Sequence, residues 1–276
     1  MEGTELMKNE KQFSHRHYTY LKQVKRETGF IWVLRFLILA LFLGAWELFA
    51  QIGAIDAFIS SSPSRIATTF NELLIENNLL YHIGVTLYET ILGFLISAIL
   101  GYGIALALWW SERLRRILEP YIVVLNSLPK IALGPIIIVW CGSGSKAIIF
   151  MAVLIGIIVA IITMMNGFLA TDKNKILLLR SMGANKMQIL AKLVIPGSMP
   201  TFISMLKINV GMAWIGSIMG EYLVSRAGLG YLIVYGGQVF KLDLVMTATV
   251  VLCLLATLMY AVVAMLEKII IKYNNK

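Results

Sequence analysis

The chain has 276 residues, of which 59% are hydrophobic and only 14% are charged, and its formal net charge is +9. A soluble domain usually carries about 25% charged residues, so this chain has too little charge to cover a globular surface, whereas lipid removes that requirement. The positive charge does not indicate a nucleic-acid partner, because Lys and Arg form short clusters between apolar stretches of about 20 residues, the length of a bilayer-spanning helix.

Apolar stretches of this length predict an all-α fold, a polytopic membrane helical bundle with about six transmembrane helices. A polar and basic N-terminal tail, residues 1–30, precedes a transmembrane domain over residues 31–272. The tail does not have the form of a cleavable signal, because the apolar run that follows it is too long. Pro129 and Pro135 interrupt the third span. The predicted spans are 31–52, 84–109, 119–141, 147–169, 199–222 and 244–267.

The basic residues outside these spans are distributed unequally. Seventeen Lys and Arg lie in the N-terminal tail, in the connections after the second and fourth spans and at the C-terminal end, whereas four lie in the remaining connections. Basic residues concentrate on the cytoplasmic side of a membrane protein. We therefore expect both termini and the 170–198 connection to be cytoplasmic, with the 53–83 and 223–243 connections outside.

Five charged residues within the predicted spans are candidates for function, because burying a charge in lipid is costly. Lys130 lies at the interruption of the third span and is a candidate pathway residue. Lys207 lies about two turns into the fifth span and either pairs with an acidic group or attracts an anion. Glu221 lies at the outer end of that span. Glu47 and Glu89, near the outer ends of the first two spans, either face an external vestibule or reach lipid headgroups.

Two pairs of glycines lie on the fifth span and after it. Gly216 and Gly220 form a GxxxG pair, which allows close helix approach either within the chain or between subunits. Gly228 and Gly230 lie in the external 223–243 connection. They predict a re-entrant turn or short helix that gates the outer side, and a plain connecting loop is the alternative.

No catalytic or metal-binding set is visible in the sequence. The nearest approach to a phosphate-binding loop, residues 142–146, lacks the Walker A spacing and is interpreted as a tight turn. His15, His17 and His82 all lie outside the spans, which gives a membrane-embedded hydrolase little support. The chain is therefore not expected to be an enzyme or to hold a cofactor, and energy for any work must come from a gradient or a partner.

The longest cytoplasmic connection, residues 170–198, has the pattern of two short helices. Gly183 separates them as a helix-ending glycine does, Asn185 caps the second helix, and Pro196 stops it. An apolar stripe recurs at helical spacing over Met187, Leu190, Ala191 and Val194. Such an amphipathic helix rests on lipid headgroups, on its own bundle or on a docked partner.

This connection resembles the EAA motif of bacterial ABC importer permeases, which runs Glu-Ala-Ala, three residues, Gly, nine residues and Ile-x-Leu-Pro. Gly183, nine residues and Leu193-Val194-Ile195-Pro196 reproduce the second half of that spacing. The Glu-Ala-Ala positions are instead occupied by Leu177, Leu178 and Leu179. In the family, the Gly-to-Pro half forms the coupling helix.

Further stretches resemble the same family in the same order, so that the resemblance covers about residues 60–270. The first resembles the external entry to the second span, and the others resemble the nitrate, sulfonate and taurine branch of the family. They are Ser62-Pro63-Ser64, Leu128-Pro129-Lys130 through Trp140-Cys141-Gly142, Ala213-Trp214 through Gly220-Glu221, and Gly228-Leu229-Gly230-Tyr231.

The resemblance implies the permease subunit of an ATP-driven importer in a bacterial inner membrane. Two such subunits, or one in two copies as a homodimer, form the pathway, dock cytoplasmic ATP-binding ABC subunits on their coupling helices, and receive substrate from an extracytoplasmic binding protein. The expected ATPase-coupling residues are Gly183, Ala184, Asn185, Lys186, Met187, Gln188, Leu190 and Pro196. The candidate pathway or gating residues are Lys130, Lys207, Glu221, Gly228 and Gly230.

The branch implies a small anionic solute such as nitrate, a sulfonate or taurine, with a thiamine-precursor pyrimidine or another heterocycle as the alternative. A different class of function is a secondary transporter driven by an ion gradient. That class predicts an inverted repeat and paired carboxylates near the midplane of the membrane. No clear repeat is visible in the sequence, and the carboxylates lie near the outer ends of the spans.

Overall fold

The computed structural model describes the backbone of residues 2–75 and 78–274, and the side chains of residues 20, 22–24, 26–27, 29–56, 58–75 and 78–267. Every regular element in the described residues is a helix, which confirms the predicted all-α class. The α-helices are α1 Glu2–Gln51, α2 Ala57–Ser60, α3 Pro63–Ile75, α4 Leu79–Trp110, α5 Glu112–Ser127, α6 Gly134–Cys141, α7 Ser145–Leu169, α8 Lys173–Ser181, α9 Lys186–Ile189, α10 Ile195–Gly197, α11 Met199–Val224, α12 Leu229–Gln238 and α13 Leu242–Asn274.

Five helices in the described residues are long and apolar enough to cross a membrane, namely α1, α4, α7, α11 and α13. Four predicted spans lie entirely within α4, α7, α11 and α13. The predicted third span, 119–141, is not a single helix: α5 and the Lys130–Cys141 segment meet at a bend of 86°. The described residues therefore contain six candidate spans if this bent pair counts as one crossing.

Proline accounts for the bend in the third span. Leu128, the residue before Pro129, has extended backbone angles (φ −67°, ψ 137°) and ends α5, because a residue before proline is disfavoured in the α conformation. A 3₁₀ turn, Lys130–Leu133, follows, and α6 then begins with Pro135 in its first turn, where a missing N–H costs nothing. The amino group of Lys130 donates to the backbone carbonyl of Asn126 (3.1 Å) and satisfies one of the last carbonyls of α5.

The chain forms two compact units, Met1–Arg65 and Ile66–Lys276. In the first unit, α1 is one helix of 50 residues, so the backbone of the predicted tail continues the helix of the first span without a break. The Glu47 carboxylate near the end of α1 accepts hydrogen bonds from the amide (3.0 Å) and hydroxyl (2.8 Å) of Ser64. Glu47 thereby anchors the residues that follow α1 to that helix.

The core of the second unit consists of α4, α7 and α11, which approach closely where small residues face each other. Gly93 and Gly216 both contact Ala152 of α7, and a Cβ placed on Gly216 would lie 2.4 Å from the Ala152 Cα. A Cβ on Gly220 would lie 3.0 Å from the Ile148 Cα. The GxxxG pair therefore makes its contact within the chain, which resolves one of the alternatives left by the sequence.

A buried polar group lies in the same core. The side-chain amide of Asn209 on α11 donates to the Ser97 hydroxyl (2.8 Å) and to the Phe94 carbonyl (3.4 Å), both on α4. Gly156 of α7 leaves room for Asn209, because a Cβ there would lie 2.3 Å from its Oδ1. In a bilayer no water competes for such bonds, so they fix α11 against α4.

Candidate functional site

The helix α12 begins with backbone amides that are bound by side chains of α4. The Gly228 N–H donates to Nδ1 of His82 (3.0 Å), and the Leu229 N–H donates to Oγ1 of Thr86 (2.8 Å). The His82 ring also stacks on Tyr231, with ring centroids 6.0 Å apart. The first amides of a helix have no acceptor inside that helix. The side chains of α4 supply the missing acceptors and attach the start of α12 to this span.

Glu221 binds the next amide from the end of α11. Its carboxylate is 1% exposed and accepts a hydrogen bond from the Gly230 N–H (2.6 Å). Gly228 has a φ of +110°, and a Cβ there would lie 2.3 Å from a Glu221 carboxylate oxygen. Position 228 therefore requires glycine for two reasons: its backbone conformation, and the space that Glu221 occupies beside it. Residues 223–243 therefore contain a short helix, α12, as predicted, and not a plain connecting loop.

Glu89 lies against Glu221 at this site. It is 1% exposed, and its carboxyl group interacts with Ser145 and with the carboxyl group of Glu221. One oxygen of each glutamate, Glu89 Oε2 and Glu221 Oε1, is buried without a hydrogen-bond partner. The prediction that Glu89 faces an open vestibule or reaches lipid headgroups is wrong for this conformation, because α4, α7 and α11 enclose the side chain.

The sequence predicts no role for His82 or Thr86, and for His82 the reason is a boundary. The predicted second span began at residue 84, whereas α4 begins at Leu79 and includes His82. His82, Thr86 and Glu89 are spaced by four and three residues, which places them on one face of a helix. That spacing of polar residues at the start of an apolar span was the available signal.

The connection between α7 and α11 is built around Gly183. Its φ is +84°, its N–H donates to the Arg180 carbonyl (2.9 Å), and the Ala184 N–H donates to the Leu179 carbonyl (2.9 Å). These two bonds form a Schellman motif, which ends α8. The predicted role of Gly183 as a helix-ending glycine is confirmed.

Asn185 starts the next helix with a capping box. Its side-chain oxygen accepts from the Gln188 N–H (2.8 Å), and the Gln188 side-chain oxygen accepts from the Asn185 N–H (2.8 Å). The predicted cap is therefore confirmed, and it includes a second residue that the prediction did not name. Schellman motif and capping box together fix the turn between α8 and α9 without any tertiary contact.

The predicted apolar stripe of this segment is divided between two environments. Leu190 and Val194 pack against the bundle, whereas Ala191 is exposed and Met187 is 61% exposed. Ile189 is 2% exposed and packs into the core in their place. Spacing counted from Met187 therefore placed the stripe one residue away from the helix face that packs into the core.

Pro196 does not stop the helix, contrary to the prediction. Residues Leu190–Val194 form a π-helical turn, with the Ile195 N–H donating to the Leu190 carbonyl five residues earlier. Proline lacks an N–H and crowds the carbonyl four residues before it in an α-helix, whereas a wider turn accommodates the ring. The Ser198 N–H then donates to the Val194 carbonyl (3.0 Å), and α11 follows directly.

The α8–α9 pair presents large apolar side chains to solvent. We call Leu177, Leu178, Met182 and Met187 the exposed apolar group; each is at least 59% exposed, and all lie outside the candidate spans. Exposed apolar clusters that lipid does not cover are typical of interaction surfaces. Lys186 points the other way, because its amino group donates to the Trp110 carbonyl at the end of α4.

Lys207 pairs with an acidic group, which is one of the two alternatives left by the sequence. Its amino group lies 2.5 Å from a carboxylate oxygen of Glu267, so the pair joins α11 to α13. Lys130 has no carboxylate within 4.0 Å among the described residues, and its amino group is held by a backbone carbonyl. The structure thus brings Glu221, Gly228 and Gly230 together and leaves Lys130 and Lys207 apart from them.

Apolar spans around a core of small residues, with buried carboxylates at one end and a capped helix pair at the other, define the class of the fold as a membrane-spanning helical bundle. Residues 97–272 match the model of the binding-protein-dependent transport system inner membrane component, and the chain belongs to that family. It is therefore a multi-pass inner-membrane transport component, and the resemblance to the permeases of ABC importers is confirmed.

Two relatives and one solved structure illustrate the range of similar proteins. A Bacillus subtilis (strain 168) protein assigned as an aliphatic sulfonates transport permease is 25% identical, over 93% of this chain and 94% of its own. The formylaminopyrimidine transport permease of Halalkalibacterium halodurans is 29% identical, over 84% of this chain and 92% of its own. A chain of the methionine ABC transporter shares the fold, with a TM-score of 0.62, 19% identity, and coverage of 71% of this chain and 99% of that one.

Proposed function

We propose that this chain forms the translocation pathway of an ATP-driven importer and that its α8–α9 pair docks a separate cytoplasmic ATP-binding ABC subunit. The exposed apolar group supports this proposal most directly, because four large apolar side chains outside the spans need a partner that covers them. The capped turn between α8 and α9 gives that surface a fixed shape. The unequal distribution of basic residues among the connections between spans supports a cytoplasmic position for this segment and for both termini.

The proposed coupling mechanism uses the helix that joins the two ends of the bundle. Ile189, Leu190 and Val194 pack α9 and the π-turn into the core, and α11 leads from there to Glu221. A docked ATPase that moves α9 would therefore move α11, and Glu221 would carry that movement to the Gly228–Gly230 turn. Two discrete arrangements of such packed elements are what alternating access requires.

In this proposal two copies of the chain form the pathway within the lipid bilayer. An extracytoplasmic substrate-binding protein delivers the solute on the side where α12 lies, and Glu221, Gly228 and Gly230 form the outer gate. ATP hydrolysis takes place on the partner subunit.

Docking is tested by co-purifying the ATPase subunit with the full chain. Met187→Glu is expected to abolish retention of the ATPase and ATP-dependent uptake, because it places a charge in the middle of the exposed apolar group. Asn174→Glu is the matched control, since it adds the same charge at an exposed position of α8 outside that group. Equal ATPase retention in the two variants would show that the docking surface lies elsewhere.

A gradient-driven secondary transporter is the second candidate, and the contact between Glu89 and Glu221 favours it, because paired buried carboxylates serve ion coupling in such proteins. The pair lies near the end of α11, however, and one oxygen of Glu221 is bound to the Gly230 amide of α12. Uptake in proteoliposomes separates the two functions. An ion gradient that drives uptake without the ATPase subunit would refute the ATP-driven proposal.

For the solute, we propose a small anion of the sulfonate type, with support from the aliphatic sulfonates permease relative. Lys207 gives less support than its charge suggested, since Glu267 neutralises it. A pyrimidine or another heterocycle is the alternative, with support from the formylaminopyrimidine permease relative. Uptake of a labelled alkanesulfonate, labelled taurine, labelled nitrate and a labelled aminopyrimidine, each measured separately, tests this choice, and uptake of the pyrimidine alone would exclude the anion.

A further inference from the structure

A basic pocket lies where the end of α4 and the start of α5 meet α8 and α9. Its volume is about 510 Å³. The wall carries four cationic side chains and one carboxylate: Arg115, Lys173, Arg180, Lys186 and Glu112. The pocket faces the bundle side of the α8–α9 pair, whereas the proposed ATPase contacts are the exposed apolar group.

The carboxylates near the pocket do not balance its positive charge. Arg115 lies 3.6 Å from Glu119 and 4.0 Å from Glu112, so these carboxylates neutralise its charge. Glu112 also pairs with a second arginine outside the pocket, at 2.6 Å. Lys173 and Arg180 have no carboxylate within 4.0 Å among the described residues. An anionic ligand would complete the charge balance.

Lys186 and two tryptophans place this pocket at the membrane boundary. The Lys186 amino group donates to the Trp110 carbonyl and lies 5.6 Å from the Trp109 ring centroid and 5.2 Å from that of Trp110. Tryptophan at the end of a span sits at the level of the lipid headgroups. Ile189 adds apolar surface to the same lining, so the pocket offers both cationic groups and apolar surface.

We propose that this pocket binds the phosphate-bearing headgroup of an anionic phospholipid. Lysine and arginine recognise phosphate by charge and by hydrogen bonds, and basic pockets between the cytoplasmic ends of spans are suited to lipid headgroups. A soluble phosphate shares that chemistry, but only a lipid also places acyl chains along the apolar surface of α4 below the tryptophans. The site does not depend on what the protein transports.

Native mass spectrometry of the full chain in detergent micelles, titrated with phosphatidylglycerol, tests the proposal. The double variant Lys173→Gln/Arg180→Gln is expected to bind this lipid about 30-fold more weakly, because each cation near a lipid surface contributes roughly fivefold to affinity. The control Arg113→Gln/Lys175→Gln removes the same amount of charge from positions on α5 and α8 that lie outside the pocket. It should change the affinity by no more than about twofold.

Five further results decide the outcome. Lys173→Arg/Arg180→Lys should retain the lipid, since it keeps the charge, and Arg180→Glu alone should expel it if the double variant does not insert. Equal losses in the pocket and control variants would show unspecific attraction and overturn the proposal. Displacement of the lipid by millimolar inorganic phosphate would identify a soluble-anion site instead. Loss of the ATPase subunit with no loss of lipid would assign the pocket to an acidic segment of that partner.

Discussion

Replacing Gly228 by alanine should detach the start of α12 from the rest of the bundle. Gly228 combines φ +110° with ψ 169°, a backbone region that is essentially restricted to glycine. A Cβ there would lie between 2.3 and 2.6 Å from the three carboxylate atoms of Glu221, so that side chain must also move. The substitution therefore strains the backbone and displaces the acceptor of the Gly230 amide at the same time.

The size of the effect follows from these two contributions. Backbone strain of this kind costs about 1–3 kcal/mol, and a displaced hydrogen bond costs about 1 kcal/mol. We expect the free energy that holds the turn closed to fall by about 3 kcal/mol, which corresponds to roughly 100-fold faster amide exchange. Hydrogen exchange of peptides covering residues 226–238, measured by mass spectrometry in lipid nanodiscs, reports this directly, and substrate uptake should fall with it.

Gly237→Ala is the matched control for this measurement. Gly237 lies in the same helix, and a Cβ there would meet no atom within 4 Å. Alanine is a better helix former than glycine, so exchange should stay within about twofold or slow slightly. If Gly228→Ala exchanges no faster than Gly237→Ala, the carboxylate of Glu221 does not hold this turn, and the proposed outer gate loses its physical basis.

Three further predictions concern other parts of the bundle. Gly183→Val should cost about 1–2 kcal/mol of local stability because of its φ of +84°, and should lower ATPase retention in a pull-down while Gly197→Ala does not. Gly216→Ala should lower the Tm in detergent, because its Cβ would lie 2.4 Å from a backbone atom of α7. Gly211→Ala should not lower the Tm, because a Cβ there would meet no atom within 4 Å. Equal Tm values for the two variants would contradict the close packing of Gly216. Lys207→Glu and Glu267→Lys should each lower the Tm, and the double swap should restore most of it unless the pair contributes nothing.

The spans were predictable from sequence because the lipid interior selects apolar residues along the whole length of a span. An apolar run of about 20 residues has few other uses, so α4, α7, α11 and α13 lie where the pattern placed them. The caps at Gly183 and Asn185 were predictable for a related reason. They depend on residues within five positions, and local hydrogen bonding decides them before any tertiary contact forms.

The amides of α12 could not be assigned to their acceptors from sequence, because the acceptors are distant in the chain. His82 and Gly228 are separated by 146 residues, and their contact exists only after α4 and α11 have packed. The helix face that α9 and the π-turn bury is likewise decided by residues distant in the chain. Both Met187 and Ile189 fit an apolar stripe, and the core of α4 and α7, not the pattern, selects Ile189.

The two ends of the bundle are joined by helical backbone more continuously than the sequence suggested. From Lys186 to Val224 the structure is helical except at Ser198, and the Phe202 N–H bridges that residue by donating to its carbonyl (2.9 Å). At about 1.5 Å per residue this path is roughly 55 Å long, more than the thickness of the hydrocarbon core of a bilayer. The π-turn is its one wide point, where a shift of register needs the smallest change in hydrogen bonding. Because α9 lies at one end of this path and Glu221 near the other, the proposed displacement of the capped helix pair would reach Glu221 along helical backbone, and the bond between its carboxylate and the Gly230 amide would pass it to the Gly228–Gly230 turn.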